Sequence, residues 1–234
     1  MAKPVCAVIG VGPGNGAAIA RRFAREGYAV ALVARSAEFA QAVAREIGDA
    51  ARAYQGDASE PSSIERTFAS IRRDLGEVDV LVYNAGSGVW GTVEEISPEA
   101  FEASWRVNAL GALVASQQVI PAMRQRGQGS IIVIGATASR KAGPKSAAFS
   151  SAKGAQRSLA ESMARHLWPA GIHVALIVID GVVDLPRTRE RMPDKPDTFF
   201  VKPDDVAATV ASIVGQPRSA WSFEVEARPF GESW

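Results

Sequence analysis

PVCAVIGVGPGNGAAIARRFARE, residues 4–26, joins an apolar run, a glycine-rich turn and an amphipathic stretch in direct succession. Residues 4–9 are typical of a buried strand, and residues 15–26 have the apolar spacing of a helix. Glycines in the turn between them let a backbone approach a diphosphate, which the helix N-terminus attracts. The stretch therefore predicts a dinucleotide-binding turn, although a tight turn without a ligand is the simpler alternative. The candidate cofactor-binding residues in the turn are Gly10, Gly12, Gly14, Asn15 and Gly16.

Short apolar runs and amphipathic stretches alternate along the rest of the chain. Further strands are predicted at residues 28–33, 51–55, 78–83, 130–134, 173–179 and 221–227. Further helices are predicted at residues 37–47, 61–75, 98–126, 146–167 and 206–214, the third with Ser97 as its N-cap. This alternation predicts one α/β Rossmann-type doubly wound domain over residues 1–234, with a seven-stranded, mostly parallel sheet and helices on both faces.

Length and composition narrow the protein class. The 234 residues are 47% hydrophobic and 22% charged with a net charge of +1, which does not favour nucleic acid or a membrane surface as a partner. The single cysteine, Cys6, lies in an apolar run and favours a reducing compartment. There is no leader pattern, no apolar stretch of membrane length and no metal-ligand cluster in the sequence. We expect a cytoplasmic protein that acts on a small-molecule substrate without a metal.

One segment, residues 184–202, carries three prolines and many charges and reads as irregular. It is too long for a simple connection, so we predict a lid or substrate loop. Two groups of basic residues could receive an anionic substrate, although solvated loop charge is the favoured interpretation. They are Arg140, Lys141 and Lys145, and, within the segment, Arg187, Arg189 and Arg191.

The end of the second strand bears on the choice of cofactor. An NAD site would place an acidic residue there, about 20 residues after the glycine turn. The chain instead has Ala34, Arg35 and Ser36. Because an arginine can pair with a 2′-phosphate, NADP(H) is favoured over NAD(H), with a solvated arginine as the alternative.

Several motifs are spread over nearly the whole chain: the glycine turn, Gly56-Asp57, Asn84-Ala85-Gly86, Asn108 in VNALG, the strand SIIVIGA and Lys153 in SSAKGA. Together they resemble the short-chain dehydrogenases/reductases. The resemblance implies that Asp57 and Ala58 contact the adenine. It implies that Asn84, Ala85 and Gly86 line the adenine ribose. It further implies that Lys153 holds the nicotinamide ribose hydroxyls and that Asn108 holds a water in a proton relay.

The resemblance also implies assembly as a homodimer or homotetramer. Relatives use the C-terminal end and the two long helices for such contacts. The aromatic residues at this end, Trp221, Phe230 and Trp234, suit an interface, with packing inside the chain as the alternative.

The chain departs from the family pattern at the substrate side. The family has Tyr-x-x-x-Lys where this chain has Phe149 and Lys153, and the partner serine of that tyrosine is Ala136. The Pro-Gly after the sixth strand is Asp180-Gly181, of which Gly181 remains a candidate cofactor-binding residue. Further departures are Leu185 and Ile9, each where the family has a threonine.

Loss of the phenol removes the usual general acid and base. Such catalysis contributes about 10²–10⁴ in rate, so ordinary carbonyl reduction should be badly impaired. Thr137 and Ser139 are candidate substitutes, whereas Ser150 and Ser151 are favoured as packing or surface hydroxyls. Asp180 could carry a proton if burial raises its pKa, or it could simply form a turn with Gly181.

Two functions remain open. The first is an NAD(P)(H)-dependent oxidoreductase with non-standard proton delivery, acting on a carbonyl or a conjugated C=C bond. Retention of Asn108, Lys153 and the glycine turn favours it. The second is a catalytically inactive nucleotide-binding sensor or assembly protein, favoured by the loss of both hydroxyl groups.

Overall fold

A seven-stranded parallel sheet forms the centre of the computed structural model, which describes residues 3–231. Its strands are β1 (Val5–Ile9), β2 (Ala29–Ala34), β3 (Ala51–Gln55), β4 (Val80–Tyr83), β5 (Gly129–Ala136), β6 (Ile172–Ile179) and β9 (Glu224–Ala227). They lie in the order β3-β2-β1-β4-β5-β6-β9, and every pairing is parallel. The doubly wound α/β prediction is confirmed.

Helices cover both faces of the sheet. They are α1 (Asn15–Arg25), α2 (Ala37–Ile47), α3 (Pro61–Leu75), α4 (Pro98–Trp105), α5 (Gly111–Arg126), α6 (Ala147–Leu167), α7 (Pro186–Arg191) and α8 (Pro203–Val214). Apolar residues of α3, α5 and α6 share one buried cluster with the sheet, and those of α1, α2 and α8 share the other. The central strands are buried on both faces, which explains their continuous apolar sequence.

The order of the strands indicates where a ligand would bind. All strands run in the same direction, but the order in which the chain adds them reverses at β1. This strand pairs with β2 on one side and with β4 on the other. Ligands of doubly wound sheets bind outside the carboxyl ends of the strands at such a reversal. The glycine turn after β1 and the Asn84 segment after β4 meet there.

The predicted helix over residues 98–126 is interrupted. Ser97 caps it as expected, with its Oγ accepting from the amide of Ala100 at 3.2 Å. A π-helical turn at Arg106–Leu110, however, separates α4 from α5. One extra residue per turn leaves the run of helix-forming residues intact, so the sequence pattern gives no sign of it.

The segment 184–202 is more regular than its composition suggests. It contains α7, a 3₁₀ turn at Asp197–Phe199 and the short strand β8 (Phe200–Val201), which pairs with β7 (Val182–Val183). Arg189 organises it by a bidentate contact with Asp184 at 2.7 and 2.8 Å. The prediction of an irregular segment was wrong for these parts, because pairing with β7 and ion pairs within the segment outweigh its proline and charge content; the lid or substrate loop stays a prediction.

The C-terminal strand begins three residues later than predicted. Trp221 lies before β9 and stacks on His173, with ring centroids 4.7 Å apart, inside a cluster that includes Trp168. Trp221 therefore packs within the chain, while Phe230 is 90% exposed. Trp234 lies outside the described residues. Between residues 3 and 231, no helix is long and apolar enough to cross a membrane.

Candidate active site

The glycine turn leaves no room for side chains where it meets the sheet. Gly10 has a φ of +91°, and a Cβ there would lie 2.5 Å from the backbone of Ala85. A Cβ at Gly16 would lie 2.5 Å from the carbonyl oxygen of Gly10. Gly12 differs, because nothing lies within 4 Å of its Cβ position. The Asn84 side chain donates to the Gly10 carbonyl at 2.7 Å, so the turn is fixed and its outer side is open.

The N-terminus of α1 faces the same turn. The helix begins at Asn15 and has no acidic side chain in its first turn, so its positive end is not neutralised locally. Asn15 Oδ1 is buried and has no hydrogen-bond partner within residues 3–231. An open glycine turn, a positive helix end and an unpaired buried oxygen fit the diphosphate and ribose of a dinucleotide.

The part of the site that follows β2 carries positive charge. Arg35 and Ser36 are exposed at the end of β2, directly before α2. Burial alone would raise the pKa of Asp57, but hydrogen bonds from Ser59 and the charge of Arg35 outweigh it and lower the pKa. Ala58 is buried beside Asp57. This end can therefore receive an anionic group at Arg35, next to the predicted adenine contacts.

Asn108 lies inside the π-helical turn and is completely buried. Its Nδ2 donates to the carbonyl oxygens of Ser87 at 3.1 Å and Ser104 at 2.8 Å. Its Oδ1 has no hydrogen-bond partner among the described residues. A Cβ at Gly86 would lie 3.4 Å from that oxygen, so the unpaired group borders the loop after β4.

Lys153 is buried beside Asn108. Its Nζ donates to the carbonyl oxygen of Ile134 at 3.0 Å and to Gln156 Oε1 at 2.9 Å. The Gln156 amide in turn donates to the backbone carbonyl of Asn108 at 2.9 Å. Burial lowers the pKa of Lys153 to about 8. The structure thus joins the two predicted catalytic residues, with a glutamine side chain between them.

Phe149 lies in the first turn of α6, and Ala136 is the last residue of β5. The Phe149 ring centroid is 6.0 Å from Lys153 Nζ and 5.2 Å from that of Trp90. Ala136 ends β5 opposite Ile179. The Phe149 and Trp90 rings form an apolar wall near the buried ammonium, and neither Phe149 nor Ala136 can exchange a proton.

The hydroxyl groups of the candidate substitutes all have hydrogen-bond partners within the chain. The Thr137 hydroxyl hydrogen-bonds to the Asp180 carboxylate, and the Ser139 hydroxyl donates to the carbonyl of Ala136 at 2.8 Å. Ser150 and Ser151 bond to Ser146 Oγ at 2.7 Å and to the Ala147 carbonyl at 2.8 Å, respectively, as expected for packing hydroxyls.

Asp180 does not meet the condition for carrying a proton. It forms an ion pair with Arg228 and accepts from Thr137. Burial alone would raise the pKa of Asp180, but the hydrogen bonds from Thr137 and Arg228 and the charge of Arg228 lower it instead. The carboxylate stays ionised near neutrality and fastens the ends of β5 and β6 together.

Comparison with known proteins agrees with this geometry. The family model for short chain dehydrogenase matches residues 4–195. The chain belongs to the short-chain dehydrogenase family. A human 3-oxoacyl-(acyl-carrier-protein) reductase is 32% identical over 165 residues, which cover 69% of this chain and 70% of the relative.

Two further relatives bear on cofactor and activity. A metagenomic short-chain oxidoreductase solved in complex with NADP is 30% identical, with a TM-score of 0.85 and coverage of 99% of both chains. A Xanthobacter autotrophicus protein, inactive 2-(S)-hydroxypropyl-CoM dehydrogenase 2, is 32% identical over 202 residues, which cover 81% of this chain and 88% of that protein.

Asp180, where the family has proline, uses its backbone amide. The backbone amide of Asp180 donates to the carbonyl of Ala227 at 2.9 Å and extends the pairing of β6 with β9. Proline has no amide hydrogen and could not make this bond. Gly181, the candidate cofactor-binding residue of this motif, directly follows Asp180 in the chain.

Leu185, where the family has threonine, packs on the glycine turn. A Cβ at Gly14 would lie 2.7 Å from Leu185 Cδ2.

The basic residues divide into paired and exposed groups. Arg140 forms ion pairs with Glu224 and Glu226, and Arg189 pairs with Asp184 and Asp197. These two arginines are therefore occupied within the chain. The others, Lys141, Lys145, Arg187 and Arg191, are exposed.

Two residues of the site escape sequence reasoning. Gln156 is a polar residue on the inner face of α6, three positions after Lys153, and that spacing could have revealed it. Trp90 lies in the loop after β4, and only the fold brings it to Phe149.

Proposed function

We propose that the protein is an NADP(H)-dependent oxidoreductase in which the proton does not come from a tyrosine. One observation supports this most: Lys153 is a buried cation whose hydrogen-bond acceptors are neutral, and it lies beside Gly86 in the loop whose Ala85 packs on the glycine turn. A buried charge without a carboxylate is costly and typically persists at functional sites.

The chain's own residues would hold the cofactor along the edge of the sheet. The turn from Gly10 to Gly16 and the start of α1 would bind the diphosphate, and Arg35 would pair with the 2′-phosphate. Lys153 would donate to the ribose hydroxyls near Gly86. When bound, the nicotinamide supplies or accepts the hydride.

The apolar wall limits the reactions that fit. Phe149 and Ala136 give no proton to an oxygen at the usual place, so a reaction that needs one there is disfavoured. Reduction of a conjugated C=C bond suits the site better, since hydride adds to carbon and solvent can supply the proton. Reduction of a carbonyl that brings its own acidic group is the second option.

Binding and turnover test this proposal separately. Calorimetry should find NADPH bound more tightly than NADH, and Arg35→Ala should remove most of that difference while leaving NADH unaffected. Purified protein should then oxidise NADPH with a member of a panel of enoyl and carbonyl substrates. Absence of turnover across the panel would remove the catalytic part of the proposal, and absence of binding would remove all of it.

A catalytically inactive nucleotide-binding protein is the second candidate. The combined replacement of tyrosine by Phe149 and serine by Ala136 favours it, and so does the similarity to a relative described as inactive. It predicts NADPH binding without turnover on any substrate. A homodimer or homotetramer, which light scattering after gel filtration would detect, is proposed for either candidate.

A further inference from the structure

Gln156 is one of the most deeply buried polar side chains of the described chain, with 1% of its surface exposed. It lies on the same face of α6 as Lys153, one turn further on. A buried carboxamide that packed against apolar neighbours alone would leave hydrogen-bonding groups unsatisfied at considerable cost. Here each end of the amide has a partner.

The two partners fix the direction of the amide. Oε1 accepts from the Lys153 ammonium, and Nε2 donates to the carbonyl of Asn108, both at 2.9 Å. Turning the amide over would place an NH₂ group against an ammonium and an oxygen against a carbonyl oxygen. Because lysine only donates and a carbonyl only accepts, one orientation alone satisfies both.

We infer that Gln156 is a positioning residue, which holds the Lys153 ammonium against the π-helical turn and leaves one of its N–H groups for a ligand beside Gly86. The ammonium has three N–H groups. Two go to Ile134 and Gln156, and a Cβ at Gly86 would lie 3.7 Å from Nζ. The role for a bound cofactor rests on the function proposed above, whereas the positioning of Lys153 does not.

The same amide connects two groups without carrying a proton between them. A carboxamide oxygen accepts and its nitrogen donates, so a proton given up by Lys153 cannot pass through Gln156 to Asn108. The bridge therefore orients the ammonium and does not form a relay.

Other charges near α6 do not account for the state of Lys153. The segments packed against α6 are α4, β5, β6, the π-helical turn and the 3₁₀ turns after β5 and α6. Titratable or charged residues on these segments and on α6 itself are Glu99, Glu102, Arg106, Arg157, Glu161, Arg165, His166, His173 and, directly after β6, Asp180. Burial lowers the pKa of Lys153, and the two acceptors of its ammonium among residues 3–231, Gln156 Oε1 and the Ile134 carbonyl oxygen, are both neutral.

Opposite substitutions at position 156 provide the test. NMR of ¹³Cε-labelled lysine in the ligand-free protein would follow Lys153, assigned with Lys153→Met. Gln156→Leu removes an acceptor of the charged form and should move the titration midpoint down by about one pH unit. Gln156→Glu adds a carboxylate and should move it up by at least about as much. The exposed Gln117 of α5 provides matched controls, Gln117→Leu and Gln117→Glu, which should leave the midpoint in place.

NADPH binding then provides the second measurement. The pH at which affinity is lost should follow the NMR midpoint, down in Gln156→Leu and up in Gln156→Glu. A merely structural role would weaken binding equally at every pH in both variants, and midpoints that stay put or move together would overturn the inference. If Gln156→Leu does not fold, the direction found for Gln156→Glu alone decides. If the wild type binds no NADPH while the NMR midpoints move apart, the proposed function fails and the positioning of Lys153 stands.

Discussion

At the turn between β1 and α1, Gly10 and Gly16 leave no space for a side chain, and Asn84 ties the turn to the neighbouring strand. At the carboxyl ends of β5 and β6, Ala136 and Asp180 replace a serine and a proline of the family. The first region keeps the glycine turn and the asparagine that fixes it, whereas the second lacks the serine of the family pattern, as α6 lacks the tyrosine at Phe149. The contrast indicates that the cofactor half and the substrate half of one site can change independently.

The largest effect is expected where the substrate half is rebuilt. Phe149→Tyr together with Ala136→Ser should raise carbonyl reduction by about 10²–10⁴, because a phenol beside Lys153 acquires a lowered pKa and can donate a proton. Steady-state oxidation of NADPH with simple ketones would measure it. Ser151→Tyr, an exposed position on the same helix, is the matched control and should give no gain. No gain in the double variant despite NADPH binding would mean that the substrate half has lost more than two hydroxyl groups.

A side chain in the open part of the glycine turn should abolish binding and spare the fold. Nothing lies within 4 Å of a Cβ at Gly12, so Gly12→Val should keep its melting temperature while NADPH affinity falls at least about 100-fold by steric exclusion. Calorimetry and thermal melts would measure the two effects. Gly154→Ala, at another glycine whose Cβ position is free, should leave affinity unchanged. Wild-type affinity in Gly12→Val would place the nucleotide elsewhere.

Lys153 should oppose stability while it serves binding. Its folded pKa of about 8 lies below the usual value near 10.4, so the native state loses its proton first and stability from this group rises with pH between those values. Lys153→Met should lack that rise in urea unfolding at pH 7 and pH 9.5. It should also weaken NADPH binding by about 10- to 100-fold through the lost charged hydrogen bond. Lys141→Met, at an exposed lysine, should change neither quantity.

Replacing Asp180 should lower stability and should have the smallest effect on cofactor affinity among these variants. Asp180→Asn weakens the contacts with Arg228 and Thr137 and should cost about 1–3 kcal/mol of unfolding free energy at pH 7. Since the folded pKa of Asp180 is lowered, its contribution is present above the unfolded pKa near 3.9 and is lost as pH falls. The cost should therefore shrink below pH 4 in chemical denaturation. Asp194→Asn, exposed in the segment 184–202, should cost almost nothing. A large loss of NADPH affinity in Asp180→Asn would instead place this carboxylate at the cofactor.

Local periodicity was enough to predict the sheet and its helices. The strands β1, β2 and β6 are buried on both faces, so their apolar runs stand out from their surroundings. The glycine turn was predictable for the same reason, because its spacing and its position after a strand are local features. The first residues of β9 and β4, Glu224 and Val80, were harder to predict, since apolar residues also precede the paired ones.

Features that depend on contacts distant in sequence could not be predicted. The ion pair of Asp180 with Arg228 spans 48 residues, and the amide bridge from Gln156 to Asn108 also spans 48. The periodicity of apolar residues along the chain contains no information about such pairs. The interruption at Arg106–Leu110 is invisible for a different reason, because α- and π-helical turns favour similar residues.

The contact of Leu185 with Gly14 joins the segment after β6 to the glycine turn. Leu185 precedes α7 and rests on the turn, held by the bond from its own amide to Thr188 Oγ1 at 2.9 Å. We expect that a diphosphate entering the turn meets this side chain before any substrate reaches Phe149. We therefore expect a compulsory order of addition, nucleotide first, with product inhibition patterns and trypsin cleavage near Arg187 both registering nucleotide occupancy.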